Sequence, residues 1–223
     1  MNTPVIIMII AGILLQALFI KVEHDENYLL ATILKGSAAL MFVLVGYVAF
    51  LSTDNIFNRR FLIGLIFGMI GDILLELRYV FKKNGDKVFL LGILSFMIGH
   101  IMYLVALIPQ ARHGLIFGLI GALVAACLLT YIYKTMDIKP AFKIFGVLYL
   151  GVVFIMCFIA IGIAIFNPNP RSILYAIGAV LFTASDVVLI FNTFSGTSRF
   201  SLRITNLSLY YIGQMMIACS LFL

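Results

Sequence analysis

Five ionisable residues stand inside long apolar stretches of this 223-residue chain: Lys35, Asp72, Glu76, His100 and Asp186. A charged side chain at the centre of a membrane-spanning helix costs about 2.5–3.5 kcal/mol on insertion scales. Such residues face the interior of a bundle and mark function more often than chance. Asp72 and Glu76 are four apart and share one helix face. His100 and Tyr103 are three apart and do the same. Asn192 flanks Asp186 and marks the end of its helix. Tyr210, Tyr211 and Gln214 line the last helix, with Gln214 on the face of one or both tyrosines.

Two carboxylates in a cavity with little water suit acid–base chemistry, one held protonated and the other ionised. Such a pair hydrolyses an acid-labile bond through an oxocarbenium-like state, as paired carboxylates do in glycosidases. It equally suits proton movement in a transporter. Structural alternatives stand beside each assignment. Asp72 or Asp186 pairs with Lys35 as a buried ion pair. Glu76 is a rim carboxylate, solvated or paired with Arg78. His100, Gln214 and the tyrosines are polar links between helices. Two acids and one base cannot all pair, which leaves one carboxylate free.

The segments that must position these groups are membrane helices. The chain is 64% hydrophobic and 11% charged, whereas a soluble domain has about 25% charge. Spans of about 20 apolar residues are expected near 4–20, 28–51, 60–81, 88–109, 114–133, 141–166, 172–192 and 201–222. Unbroken apolar runs exclude a β-barrel, whose strands alternate. The expected fold is an all-α polytopic bundle of about eight helices, one integral membrane domain over 1–223. The first segment lacks a basic flank and a cleavage-site pattern and reads as a retained helix.

An internal repeat is expected. Asp186 lies 114 positions after Asp72, and Gln214 lies 114 after His100. A four-plus-four duplication with halves 1–110 and 111–223 relates the halves by an axis along the membrane normal. Asp72 and Asp186 then face one cavity at similar depth. Glu76 has no acidic counterpart, because Ile190 takes its place.

Lys and Arg concentrate in alternate loops, including Lys21, Arg78, Lys82, Lys83, Lys87, Lys134, Lys139, Lys143, Arg199 and Arg203. Arg59, Arg60, Arg112 and Arg171 fall on the other side. The positive-inside rule places the first group in the cytoplasm and both termini outside, in a bacterial cytoplasmic membrane. The net charge of +6 then faces anionic membrane lipids and calls for no nucleic-acid partner. Three histidines, two of them in loops on opposite sides, assemble no zinc site. No metal and no cofactor are expected. Cys127, Cys157 and Cys219 are read as small packing residues.

Four motifs occur in order: GD-x-x-L from Gly71, H-x-x-Y from His100, SD-x5-N-x-F from Ser185 and YY-x-x-Q-M-x-I from Tyr210. Together they resemble the YhhN family of membrane proteins, which includes the eukaryotic lysoplasmalogenases. The family shows Lys-Pro in the second helix, where this chain has Lys35-Gly36; Glu76 lies outside the motif. The resemblance implies hydrolysis of the vinyl ether bond of a lysoplasmalogen, a lysophospholipid substrate, to a fatty aldehyde and a glycerophospho-alcohol. Asp72 and Asp186 then divide the acid and base roles. His100, Tyr103, Tyr211 and Gln214 orient water or head group, and Lys35 or the rim cations hold the phosphate. Asn192, Tyr210 and Glu76 complete the substrate-binding set. The competing expectation is a proton-coupled carrier of a small or lipid-like solute.

Overall fold

Asparagine side chains start three of the helices in the computed structural model, which describes residues 3–196 and 198–223. Asn27, Asn55 and Asn169 each accept a hydrogen bond from the backbone N–H three residues on, at 3.3, 2.8 and 2.9 Å. Such caps satisfy N–H groups that a helix start leaves unpaired. Ser172 returns a bond to the Asn169 backbone, and Pro170 opens the helix where no donor is needed.

The helices are α1 (Thr3–His24), α2 (Tyr28–Thr53), α3 (Ile56–Val80), α4 (Gly85–Leu107), α5 (Gly114–Thr135), α6 (Pro140–Phe166), α7 (Pro170–Phe194) and α8 (Phe200–Ser220). Short 3₁₀ turns at Lys82–Asn84 and Ile108–Gln110 flank α4. No strand occurs among the described residues. Six segments are long and apolar enough to cross a membrane: α1, α2, α5, α6, α7, and α4 together with its flanking turns. Eight long helices are present as expected, and α3 and α8 are the two less apolar ones. Both are of spanning length, but Asn58, Asp72 and Glu76 in α3, and Asn206 and Gln214 in α8, are buried polar groups turned inward. Large apolar side chains cover the outside, as at Leu115, Leu119 and Leu123 of α5. The protein is an integral multi-pass helix bundle.

Small residues let the two inner helix pairs approach closely, as membrane packing favours. A methyl group added at Gly99 of α4 meets the Gly64 carbonyl of α3 at 2.8 Å. One added at Gly213 of α8 meets the Gly178 carbonyl of α7 at 2.8 Å. Gly64 and Gly178, like Gly99 and Gly213, are 114 positions apart. The same methyls reach Phe67 Cβ and Leu181 Cβ at 3.4 Å, again a pair at that offset. The contact of α3 with α4 is therefore repeated by α7 with α8. Around them, α2 packs on α3 and α8, and α6 packs on α7 and α4.

Candidate functional site

Asp72 from α3 and Asp186 from α7 line one cavity of about 90 Å³. Both are nearly inaccessible, at 2% and 5% exposure. Lys35 of α2, Tyr149 of α6 and Tyr210 of α8 complete its polar lining, with Arg203 and Asn206 toward one end. Apolar walls come from Phe89, Ile93, Phe142, Phe182 and Ile190. A cavity that is mostly apolar, with a few converging polar groups, is the usual form of a small-molecule site.

The two aspartates have different partners. The Asp72 carboxylate lies 3.5 Å from Lys35 Nζ and accepts a 2.5 Å hydrogen bond from the Tyr210 hydroxyl. Asp186 accepts a 2.6 Å bond from the Tyr149 hydroxyl, and no cation lies within 4 Å of it among the described residues. Burial of an unpaired carboxylate is costly. Asp186 is thus the group that gains most from being neutral, and Asp72 the one whose negative charge is supported.

Repeat partners diverge around the cavity. At the 114-residue offset, Lys35 matches Tyr149, Phe89 matches Arg203, Phe96 matches Tyr210, Phe142 matches Tyr28 and Ile190 matches Glu76. One wall, from α4, α6 and α7, is aromatic and aliphatic. Its counterpart, from α2, α3 and α8, is charged and phenolic. Each carries one aspartate.

Glu76 extends the charged wall. Its carboxylate is fully buried, 3.8 Å from Lys35 and 3.5 Å from Arg203. Arg203 grips Glu23 at the end of α1 through Nε at 3.0 and 3.1 Å and Nη2 at 2.5 Å. The reading of Glu76 as a rim carboxylate, solvated or held by Arg78, is corrected. The turn of α3 that carries it faces inward against α2 and α8. In this network two cations, Lys35 and Arg203, meet three acidic side chains, Asp72, Glu76 and Glu23.

Other expected site residues lie behind the cavity. The His100 ring donates from Nδ1 to the Phe96 carbonyl at 2.7 Å, since a carbonyl only accepts. Its Nε2 has no hydrogen-bond partner among the described residues, and the Phe182 ring packs against the imidazole at 4.4 Å, tilted by 50°. The Tyr103 hydroxyl donates to Gln214 Oε1 at 3.2 Å, linking α4 to α8. Phe96 and Phe182 line the cavity; His100, Tyr103 and Gln214 do not. Tyr211 donates to the Ala38 carbonyl at 3.1 Å and ties α8 to α2. Asn192 accepts from the Arg199 backbone N–H at 2.7 Å and closes the turn between α7 and α8.

At the end of the bundle that carries the Lys-rich loops, a second cavity of about 540 Å³ opens. It is bordered by the α1–α2 turn and by the ends of α3, α7 and α8, with Arg78, Tyr79 and Asn192 on its walls. It shares Leu189, Thr193 and Arg203 with the inner cavity. The two form a vestibule and a chamber. Among the described residues, no three His, Cys, Asp or Glu side chains converge as metal ligands.

A profile of the YhhN family matches residues 30–221, most of the chain. The chain belongs to the YhhN family. No curated protein and no solved structure matches it. In this YhhN protein the sequence reading missed Tyr149, Arg203, Glu23 and Asn206 as neighbours of the site. Tyr149 was findable, because it stands at the repeat offset from Lys35.

Proposed function

We propose that the protein hydrolyses the vinyl ether bond of a lysoplasmalogen, releasing a fatty aldehyde and a glycerophospho-alcohol. The observation that carries this is the unequal pair of aspartates in one largely apolar chamber, within a family that includes lysoplasmalogenases. Asp186, without a cation, enters as the neutral acid. It delivers its proton to the alkenyl carbon one bond beyond the ether carbon, and an oxocarbenium ion forms. Water adds to that ion, and Asp72, held ionised by Lys35, takes the water's proton. The resulting hemiacetal loses its hydroxyl proton as the bond to the glycerol oxygen breaks. That oxygen is protonated, and the consumption of one water balances the reaction. The apolar wall beside Asp186 suits the alkenyl chain. The charged wall beside Asp72 suits water and the glycerol end. Positioned acid–base groups contribute about 10²–10⁴-fold each.

Placement of the Lys-rich loops supports a cytoplasmic vestibule, with both termini outside a bacterial cytoplasmic membrane. The test is aldehyde release by purified protein from lysoplasmenyl-ethanolamine and lysoplasmenyl-choline. Saturated ester lysolipids serve as controls. Activity abolished in both Asp72→Asn and Asp186→Asn supports the reading; a wild type that releases no aldehyde overturns it.

A second reading, a proton-coupled carrier, has one observation in its favour. Glu23, Glu76 and Asp72, joined through Arg203 and Lys35, are spaced from the vestibule to the chamber, and intramembrane carboxyl groups are the kind that carry protons in transporters. Solute uptake by reconstituted vesicles under a proton gradient, without aldehyde release, favours it.

A further inference from the structure

The vestibule holds one arginine that the ion network leaves over. Lys35 and Arg203 are each committed to carboxylates. Arg78, at the end of α3, has no acidic side chain within 4 Å among the described residues. It is nonetheless held in place. Its guanidinium stacks over Phe89 at 4.2 Å and Tyr79 at 4.5 Å, and Nη2 donates to the Tyr79 hydroxyl at 2.5 Å. Its Nε is buried without a hydrogen-bond partner. Buried donors are normally satisfied. Nε is sealed from solvent and Nη2 already serves Tyr79, so a ligand meets the guanidinium at its Nη end; a rigid, stacked guanidinium is a form proteins use for phosphate.

The position suits a lipid. Arg78 borders the 540 Å³ vestibule and also a neighbouring opening of about 410 Å³ lined by Asp86, Asp137 and Lys139. The vestibule adjoins the aspartate chamber at Leu189, Thr193 and Arg203, which line both. In a lysophospholipid the glycerol alone separates the sn-1 ether from the phosphate, so a chain seated in the chamber brings its phosphate to this end. The vestibule is also lined by Glu26 and by the Tyr28 ring, which stacks on Tyr79 at 5.1 Å. A carboxylate and aromatic faces are what an ammonium group needs.

Resting on the hydrolase reading, we propose that Arg78 is the phosphate-binding residue for a zwitterionic lysophospholipid, whose ammonium end lies toward Glu26 and Tyr28. The site selects a phosphate-bearing single-chain lipid over the same chain on bare glycerol.

Equilibrium binding to the full-length protein in detergent tests this without turnover. The probes are a saturated 1-alkyl lysophosphoethanolamine, which has no vinyl ether to protonate, the matching 1-alkylglycerol, and inorganic phosphate alone. Wild type is expected to bind the phospholipid about tenfold or more tighter than the alkylglycerol. Arg78→Gln is expected to bring the two affinities together by weakening the phospholipid only, and Arg78→Lys to restore part of the gap. Arg78→Lys keeps the charge and reports on the site even if Arg78→Gln does not fold. Equal affinities in wild type, or a preference that survives in Arg78→Gln or is complete in Arg78→Lys, overturns the proposal. So does inorganic phosphate binding as tightly as the lipid and depending equally on Arg78, which marks a site for free phosphate. Because the probe is not cleaved, these outcomes stand apart from aldehyde release, on which the hydrolase reading itself depends.

Discussion

Lys35 and Tyr149 occupy the same position in the two halves, 114 residues apart, and each holds the aspartate of its own half, at 3.5 and 2.6 Å. At one offset the contact is an ion pair on one side and a hydrogen bond from a neutral phenol on the other. In the mechanism we propose, that difference separates the roles of Asp72 and Asp186.

The divergence makes the two supporting residues unequal under substitution. Lys35→Met leaves Asp72 and Glu76 buried with only Arg203 beside one of them. Breaking a buried pair by removing one partner costs about 3–5 kcal/mol. Tyr149→Phe removes one hydrogen bond, worth about 0.5–1.5 kcal/mol. Thermal melts in detergent should therefore fall far for Lys35→Met and little for Tyr149→Phe. Tyr149→Phe should retain aldehyde release within about tenfold of wild type.

The aspartates should likewise part company. Asp186→Asn keeps the shape and a neutral acceptor for the Tyr149 hydroxyl, so its melting point should stay close to wild type. Turnover should fall by about 10²–10⁴-fold. Asp72→Asn should fall as far in turnover. It removes one of three carboxylates that share two cations, so its stability should hold or rise. Melting and aldehyde release measured on the same preparations check both. Loss of folding in Asp186→Asn contradicts the assignment of a neutral Asp186.

Glycine packing gives a prediction independent of catalysis. Gly99→Ala and Gly213→Ala each place a methyl 2.8 Å from a backbone carbonyl across a helix pair. Overpacking of this kind costs about 1–3 kcal/mol, and the repeat predicts similar losses at both. Gly151→Ala in α6 meets nothing within 4 Å and should be neutral or slightly stabilising, since alanine favours a helix by up to about 1 kcal/mol. Melting of the three variants in one detergent decides it.

Helix positions were legible because apolar run length and polar loops define them. Residues 28–51 were expected for α2, which runs Tyr28–Thr53. The inward turn of Glu76 was not legible. Its distance from the helix end suggested the rim, and only packing against α2 and α8 shows that this face is covered. Arg203 was hidden for the same reason: in the first turn of α8 it reads as a loop cation, while its side chain is 15% exposed between two glutamates. Tyr149 resembles any span aromatic until the repeat offset is applied to Lys35 rather than to the acids alone. The same offset pairs His100 with Gln214, yet a shared register does not tell which side of Phe96 and Phe182 a polar group lies on.

The network at the vestibule mouth yields the last prediction. Glu23 and Glu76 both hold Arg203, and among the described residues Glu23 is the charged group that α1 brings to this cluster. Glu23→Gln removes the two-pronged partner and leaves Arg203 to Glu76, whose carboxylate is already 3.5 Å away. The charge balance of the cluster improves from three acids over two bases to two over two, so the fold should survive. The end of α1 loses its charged anchor. Hydrogen exchange should rise across Lys21–Tyr28 while protection in α3 and α8 persists, since local openings follow the loss of local ties. Exchange that rises equally in α8 would place the anchor's role in the bundle rather than at the mouth. Arg203→Gln, in contrast, strands Glu23 and leaves Glu76 to share Lys35 with Asp72; it should destabilise the whole protein by about 3–5 kcal/mol, visible as a lower melting point.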